Sequence, residues 1–124
     1  MAEYTAPLRD MQFVIEELVG LEHITALPGY EHATPDVVHA ILEEANKMAR
    51  DVLSPINRTG DIEGCRLENG VVVTPTGFKE AYQTYVEGGW NGLQFDDEIG
   101  GPGLPMLVAT PVFAMWDSAN LASM

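Results

Sequence analysis

The stretch GGWNGLQFDDEIGGPGLP, residues 88–105, is the first place where residue types and spacing could support chemistry. It holds six of the twelve glycines, and Asp96, Asp97 and Glu98 follow one another directly. A glycine loop can cradle phosphate with its backbone N–H groups when it follows a strand, opens a helix and carries a lysine. Here there is no G-x-x-x-x-G-K pattern and no base within the loop, so an anion would meet three carboxylates. Those carboxylates could instead hold a cation or act as a base. A hard cation needs further oxygen ligands at defined spacing, and the flanking sequence supplies none. The expectation is a rigid corner between helices. Glycines permit positive φ and prolines fix theirs, while Trp90 and Leu93 can pin the loop to a core.

The remaining reactive side chains are scattered. His23, His32 and His39 include no i,i+4 pair and no HExxH arrangement, so they are expected at the surface or the core boundary. Cys65 is the only cysteine. It cannot form an intramolecular disulfide, it lacks metal-ligand spacing, and Arg66 beside it is weak support for a reactive thiol. No serine sits in a nucleophile elbow: Ser54 precedes a proline, and Ser118 and Ser123 fall in the last helical stretch. The residues alone therefore nominate no catalytic group, no metal ligand and no cofactor contact.

The elements that would position these groups read as helices. Leu8, Met11, Val14 or Ile15, and Leu18 recur at helical spacing, and Gly20 is a stop. Residues 20–33 read as loop, with Pro28-Gly29 a turn. Thr34 as N-cap and Pro35 at the first position open a second helix. Its stripe is Val38, Ile41, Ala45, Met48 and Val52, with Glu43 and Lys47 at i,i+4 on the wet face and Ser54-Pro55 as its end. Residues 56–73 are turn-rich, and Asn69-Gly70 before Val71, Val72 and Val73 predicts one small hairpin. Thr74-Pro75 precedes a third helix with inner stripe Phe78, Ala81, Tyr82, Tyr85 and Val86, stopped by Gly88-Gly89. From Leu104 a fourth stretch is apolar almost all round, through Val112, Phe113 and Trp116. Such a helix requires burial on several sides, and Pro111 predicts a kink or break near Thr110. Tyr82, Tyr85, Trp90, Phe113 and Trp116 are expected in the core. The fold class is mainly all-α, with four or five helices and at most one small β-hairpin.

The totals bound the partners. With 124 residues this is one domain at most, or part of a larger one. Nineteen acidic residues against six basic ones give a net charge of −13, which repels nucleic acid, anionic membrane and phosphate groups. The start, Met1-Ala2-Glu3-Tyr4, lacks the features of a signal peptide. Prolines, Ser118 and Asn120 disfavour a membrane span in the last apolar stretch. The expected location is cytoplasmic.

Three stretches together carry a family resemblance: YTAPLRDMQFVIEEL, TPTGFKEAYQTYVEGGWNGLQFDDEIGGPGLP and MWDSAN. They resemble acyl-CoA dehydrogenases, and more narrowly the bacterial 3-methylmercaptopropionyl-CoA dehydrogenase-like group with an N-terminal extension. The specific block is GFKEAY followed by EGGW-x-GL and GG-x-GLP. Asp96 stands where the family usually has proline, and Pro111 lies in a helix that is generally continuous in relatives.

The resemblance implies an N-terminal helical domain of a longer enzyme. Residues 1–33 would be the extension helix and loop, and 34–124 the helical domain, truncated where its last apolar helix stops. It implies α,β-dehydrogenation of an acyl-CoA thioester, with FAD as hydride acceptor in the full-length family and a glutamate base. Flavin and base both belong to segments absent here, so no bound FAD is expected for this chain alone. It implies acyl-CoA as substrate, electron-transfer flavoprotein as acceptor, and a homo-oligomer when complete. The domain's share would be a wall of the acyl-tail cavity, assigned to Asn120, Ser123 and Met124. The alternative is a stand-alone acidic helical module for interaction or oligomerisation. Such a module would bury Val112, Phe113 and Trp116 within its own chain or a dimer, whereas a fragment would leave an apolar patch open.

Overall fold

A computed structural model describes residues 3–123 of the chain. The fold is mainly helical with one two-stranded antiparallel hairpin, as the sequence predicts. In chain order the elements are α1 (Leu8–Phe13), α2 (Leu21–Thr25), α3 (Pro35–Met48), α4 (Asn57–Glu63), β1 (Arg66–Glu68), β2 (Val71–Val73), α5 (Phe78–Glu87) and α6 (Met106–Asn120).

α6 crosses the centre of the molecule. Val108, Ala109, Val112, Met115, Trp116 and Ala119 are buried on it. α3 and the π-helical turn that follows it (Ala49–Leu53) form its main bed. Val38, Leu42, Ala45, Ala49 and Leu53 supply the facing surface, and Ile41 and Val52 sit at its edge. Trp116 stands edge-on to Trp90, with ring centroids 5.2 Å apart, and edge-on to Tyr85 at 6.3 Å. Such pairs add about 0.5–1.5 kcal/mol beyond their buried area.

Several sequence expectations change. α6 runs without interruption through Pro111 rather than breaking near Thr110. Proline removes one helical hydrogen bond and costs about 3 kcal/mol. Four fully buried side chains at Val108, Val112, Met115 and Trp116 contribute about 1.5–3 kcal/mol each and outweigh it. Ser54-Pro55 does not end the second helix's path. Pro55 sits in the opening turn of a 3-10 segment (Ser54–Ile56), where its missing N–H is not needed, and α4 follows at once. α2 is helical where loop was expected. A π-helical turn at Val14–Val19 rotates the end of the first helical segment. Ile15 therefore faces the core, while Val14 and Leu18 are exposed.

Thr34 has the extended backbone of an N-cap, and its carbonyl accepts from the Val38 N–H at 2.9 Å, but its hydroxyl makes no cap bond. Lys47 pairs with Glu44 rather than Glu43. On α5 only Ala81 is fully buried. Tyr82, expected in the core, is 61% exposed, because α5 touches the core along one narrow edge. The hairpin pairs Arg66 with Val73 and Glu68 with Val71. Asn69 and Gly70 both have positive φ, as the tightest hairpin turn requires.

The glycine-rich stretch is the rigid corner anticipated. Its N–H groups bond back on themselves: Gly101 to Asp96, Gly103 to Phe95 at 2.8 Å, and Leu104 to Leu93 at 2.9 Å. Leu93 is buried and Trp90 packs against the core. A Cβ at Gly101 would lie 2.1 Å from the Phe95 carbonyl oxygen. Gly101→Ala is therefore expected to destabilise the chain by about 1–3 kcal/mol, read as a lower urea midpoint. An unchanged midpoint would show a corner free to move.

Candidate functional site

Of the residues assigned to an acyl cavity, Asn120 ends α6 and Ser123 lies in the 3-10 turn that follows it. Asn120 is 1% exposed, and its Nδ2 donates to the Leu53 carbonyl at 3.1 Å, tying α6 to the turn after α3. Its Oδ1 is buried without a protein partner among the described residues, as is Trp116 Nε1 one turn earlier. The Ser123 hydroxyl donates to the Asn120 carbonyl at 2.9 Å, so these two candidates are brought together. Met124 lies outside the described residues.

Leu121 and Ala122, between Asn120 and Ser123, border a cleft of about 800 Å³ shared with α4, the hairpin base and α5. Phe78 faces it from α5, and Arg58 and Asp61 from α4. Gly60 makes the close approach possible, because a Cβ there would lie 2.5 Å from the Phe78 ring. Leu121 is 69% exposed, so the end of α6 offers an open apolar edge. Arg58 makes no ion pair among the described residues, unlike Lys47, Arg50 and Arg66. Sequence reading missed Arg58 and Phe78 as neighbours of this edge. Their proximity comes from α4, which was read as turns.

The other candidates stay apart from the cleft, Cys65 excepted. Asp96, Asp97 and Glu98 are exposed on the glycine corner. His32 is fixed by a 2.8 Å bond from its Nε2 to the Pro102 carbonyl. His39 pairs with Glu16, joining α3 to the first helical segment, and His23 is exposed. Cys65 is exposed at the rim of the cleft. A flavin pyrophosphate requires free backbone donors or cations. The corner's N–H groups at Gly100, Gly101 and Gly103 are already bonded to backbone carbonyls, amid three carboxylates. These residues do not fit that group.

Beside the cleft, the Glu63 carboxylate accepts from the Thr76 N–H at 3.0 Å and from its hydroxyl at 3.1 Å. The Thr76 bonds hold it below the ordinary glutamate value of 4.5. A carboxylate depressed in the folded state stabilises the fold above its unfolded value, and that contribution is lost as pH falls through the folded value. Glu63→Gln is expected to flatten the acid side of the stability profile, with urea midpoints at about pH 7 and about pH 3 drawing closer together. Midpoints that keep their separation would discount the Thr76 clasp. Asn120→Ala is expected to cost about 1–3 kcal/mol by taking the donor from Leu53. A melting temperature equal to the parent's would mean that the bond contributes nothing.

Over 119 residues the chain is 40% identical to the 3-methylmercaptopropionyl-CoA dehydrogenase of Ruegeria pomeroyi, covering 96% of this chain and 20% of that enzyme. A butyryl-CoA dehydrogenase of Syntrophomonas wolfei is 31% identical over 121 residues, covering 94% of this chain and 20% of that protein. A second from the same organism is 31% identical over 123 residues, covering 96% and 20%. No family model matches the chain. The chain thus spans about a fifth of the length of the curated relatives it matches. With a helical fold and similarity along nearly its whole length to three such enzymes, the chain belongs to the acyl-CoA dehydrogenase family, as an N-terminal helical domain.

Proposed function

We propose that this chain forms one wall of the acyl-tail cavity in a flavin-dependent acyl-CoA dehydrogenase, through Asn120 and Ser123 and through Met124, which follows them in sequence. The observation that carries this reading is the open apolar edge there, with exposed Leu121 and Ala122 facing Phe78 across a cleft. Leu121, Ala122 and Phe78 supply an apolar wall of the kind an acyl tail needs, while Arg58 and Asp61 face the same cleft from α4. Asn120 is sealed by its bond to Leu53, so its part is to fix the end of α6 while Ser123 and the neighbouring side chains meet the ligand. Residues 1–33 form an extension and 34–124 the helical domain proper.

In this reading the whole enzyme removes hydrogens from the α and β carbons of an acyl-CoA thioester. FAD, when bound, supplies the hydride acceptor. This chain contributes shape and exclusion of water, without the base or the flavin contacts, and is inactive alone. Electron-transfer flavoprotein as acceptor, homo-oligomeric assembly and a cytoplasmic location belong to the same reading.

A second reading, a self-contained acidic interaction module, draws support from one observation. Val112 and Trp116 are buried within the chain's own fold, and Phe113 is half-buried.

A chimera tests the first reading. This chain would replace the matching 119 residues of the Ruegeria enzyme. Bound flavin and acyl-CoA-dependent dye reduction are expected, and Leu121→Trp in the chimera should raise KM for longer acyl chains more than for shorter ones with flavin retained. A chain-length profile unmoved by Leu121→Trp would remove the cavity role. Dye reduction by the 124-residue chain alone would overturn the division of labour.

A further inference from the structure

Two enclosed side chains on α6 carry complementary unused atoms. Trp116 and Asn120 are each 1% exposed. Trp116 Nε1 can only donate and Asn120 Oδ1 can only accept, and both are buried without a protein partner among the described residues. The two residues stand one turn apart on the same helix, a spacing that makes their side chains neighbours on one face. Helical side chains lean toward the N-terminus, which carries the Asn120 amide over the turn that holds Trp116.

Depth decides what can serve these atoms. A second copy of the chain, or protein joined to it, covers exposed surface, whereas both atoms are sealed inside this chain's own core. Buried polar groups are paired with protein or with ordered water, because leaving them bare forfeits their hydration. A cation would be repelled by the indole N–H, and an anion by the amide oxygen. One water molecule suits both, since it accepts from an N–H and donates to a carbonyl at the same time. We propose that a single buried water bridges the Trp116 N–H and the Asn120 side-chain oxygen within the core. Its bond to Oδ1 holds the plane of the amide and so aims Nδ2 at the Leu53 carbonyl, 3.1 Å away. The water is then a structural ligand that fixes the end of α6 on the turn after α3. This holds whether or not that end borders an acyl cavity.

The test is nuclear magnetic resonance on the full 124-residue chain labelled with nitrogen-15. The chain has two tryptophans, so its indole N–H signals are few enough to separate, and Trp90→Phe leaves that of Trp116 alone. The Trp116 N–H is expected to show a direct Overhauser cross-peak to water, with the sign of a bound molecule rather than of proton exchange. Asn120→Leu, which removes the acceptor, is expected to abolish that cross-peak. A Trp116 signal with no water cross-peak overturns the proposal. So does a cross-peak that persists in Asn120→Leu, because that water would serve the indole alone. If circular dichroism shows Asn120→Leu unfolded, a crystal structure of the parent chain decides. One water within about 2.7–3.2 Å of both atoms supports the bridge. Direct contact between the two atoms, or a separate partner for each, overturns it.

Discussion

A helix that is apolar on nearly every side has to be enclosed, and the packing of this chain comes from meeting that need for α6. Its buried residues Val108, Val112, Met115 and Trp116 each contribute about 1.5–3 kcal/mol, so leaving any face bare would be costly for so small a domain. α3 and the π-helical turn after it supply one bed, and Trp90 and Tyr85 close over Trp116 from the glycine corner and from α5. Cover is missing along the groove shared with α1 and at the exposed Leu121 just past the end of α6.

Polar side chains fix how those layers register. Asn46, 8% exposed on α3, accepts the Ala6 N–H at 2.8 Å and so holds the segment ahead of α1 against the core. Asn120 does the same between α6 and Leu53. His39 and Glu16 tie α3 to the first helical segment nearer the surface. Ile15, Leu21 and Ala33 belong to the same hydrophobic core as α3 and α6. These three residues, from the stretch before α3, therefore share one core with the helices after it.

The acidic balance and the fold have compatible consequences. The glycine corner spends its backbone donors on its own carbonyls and surrounds itself with carboxylates, so it works as a structural joint. Half of the six basic residues, Lys47, Arg50 and Arg66, pair with nearby acids. What remains to meet a ligand is mostly apolar: the edge at Leu121 and Phe78, and the groove between α1 and α6.

The sequence by itself determined the features that rest on local chemistry. Asn69-Gly70 specified the hairpin turn because both positions need positive φ. Pro35 opened α3, Gly89 adopted positive φ just past the end of α5, and the apolar run after Leu104 announced a buried helix. The motif blocks announced the family. Only the tertiary structure decided whether helix could continue past Ser54-Pro55 and through Pro111, since those outcomes depend on packing gains from residues distant in the chain. The same holds for which of Val14 and Ile15 faces inward, which a π-helical turn settled, and for the exposure of Tyr82. The neighbours of the α6 edge, Arg58 and Phe78, likewise come from how α4 and α5 pack at Gly60. Periodicity reports which residues want burial. How much surface there is to bury them against is a property of the assembled fold.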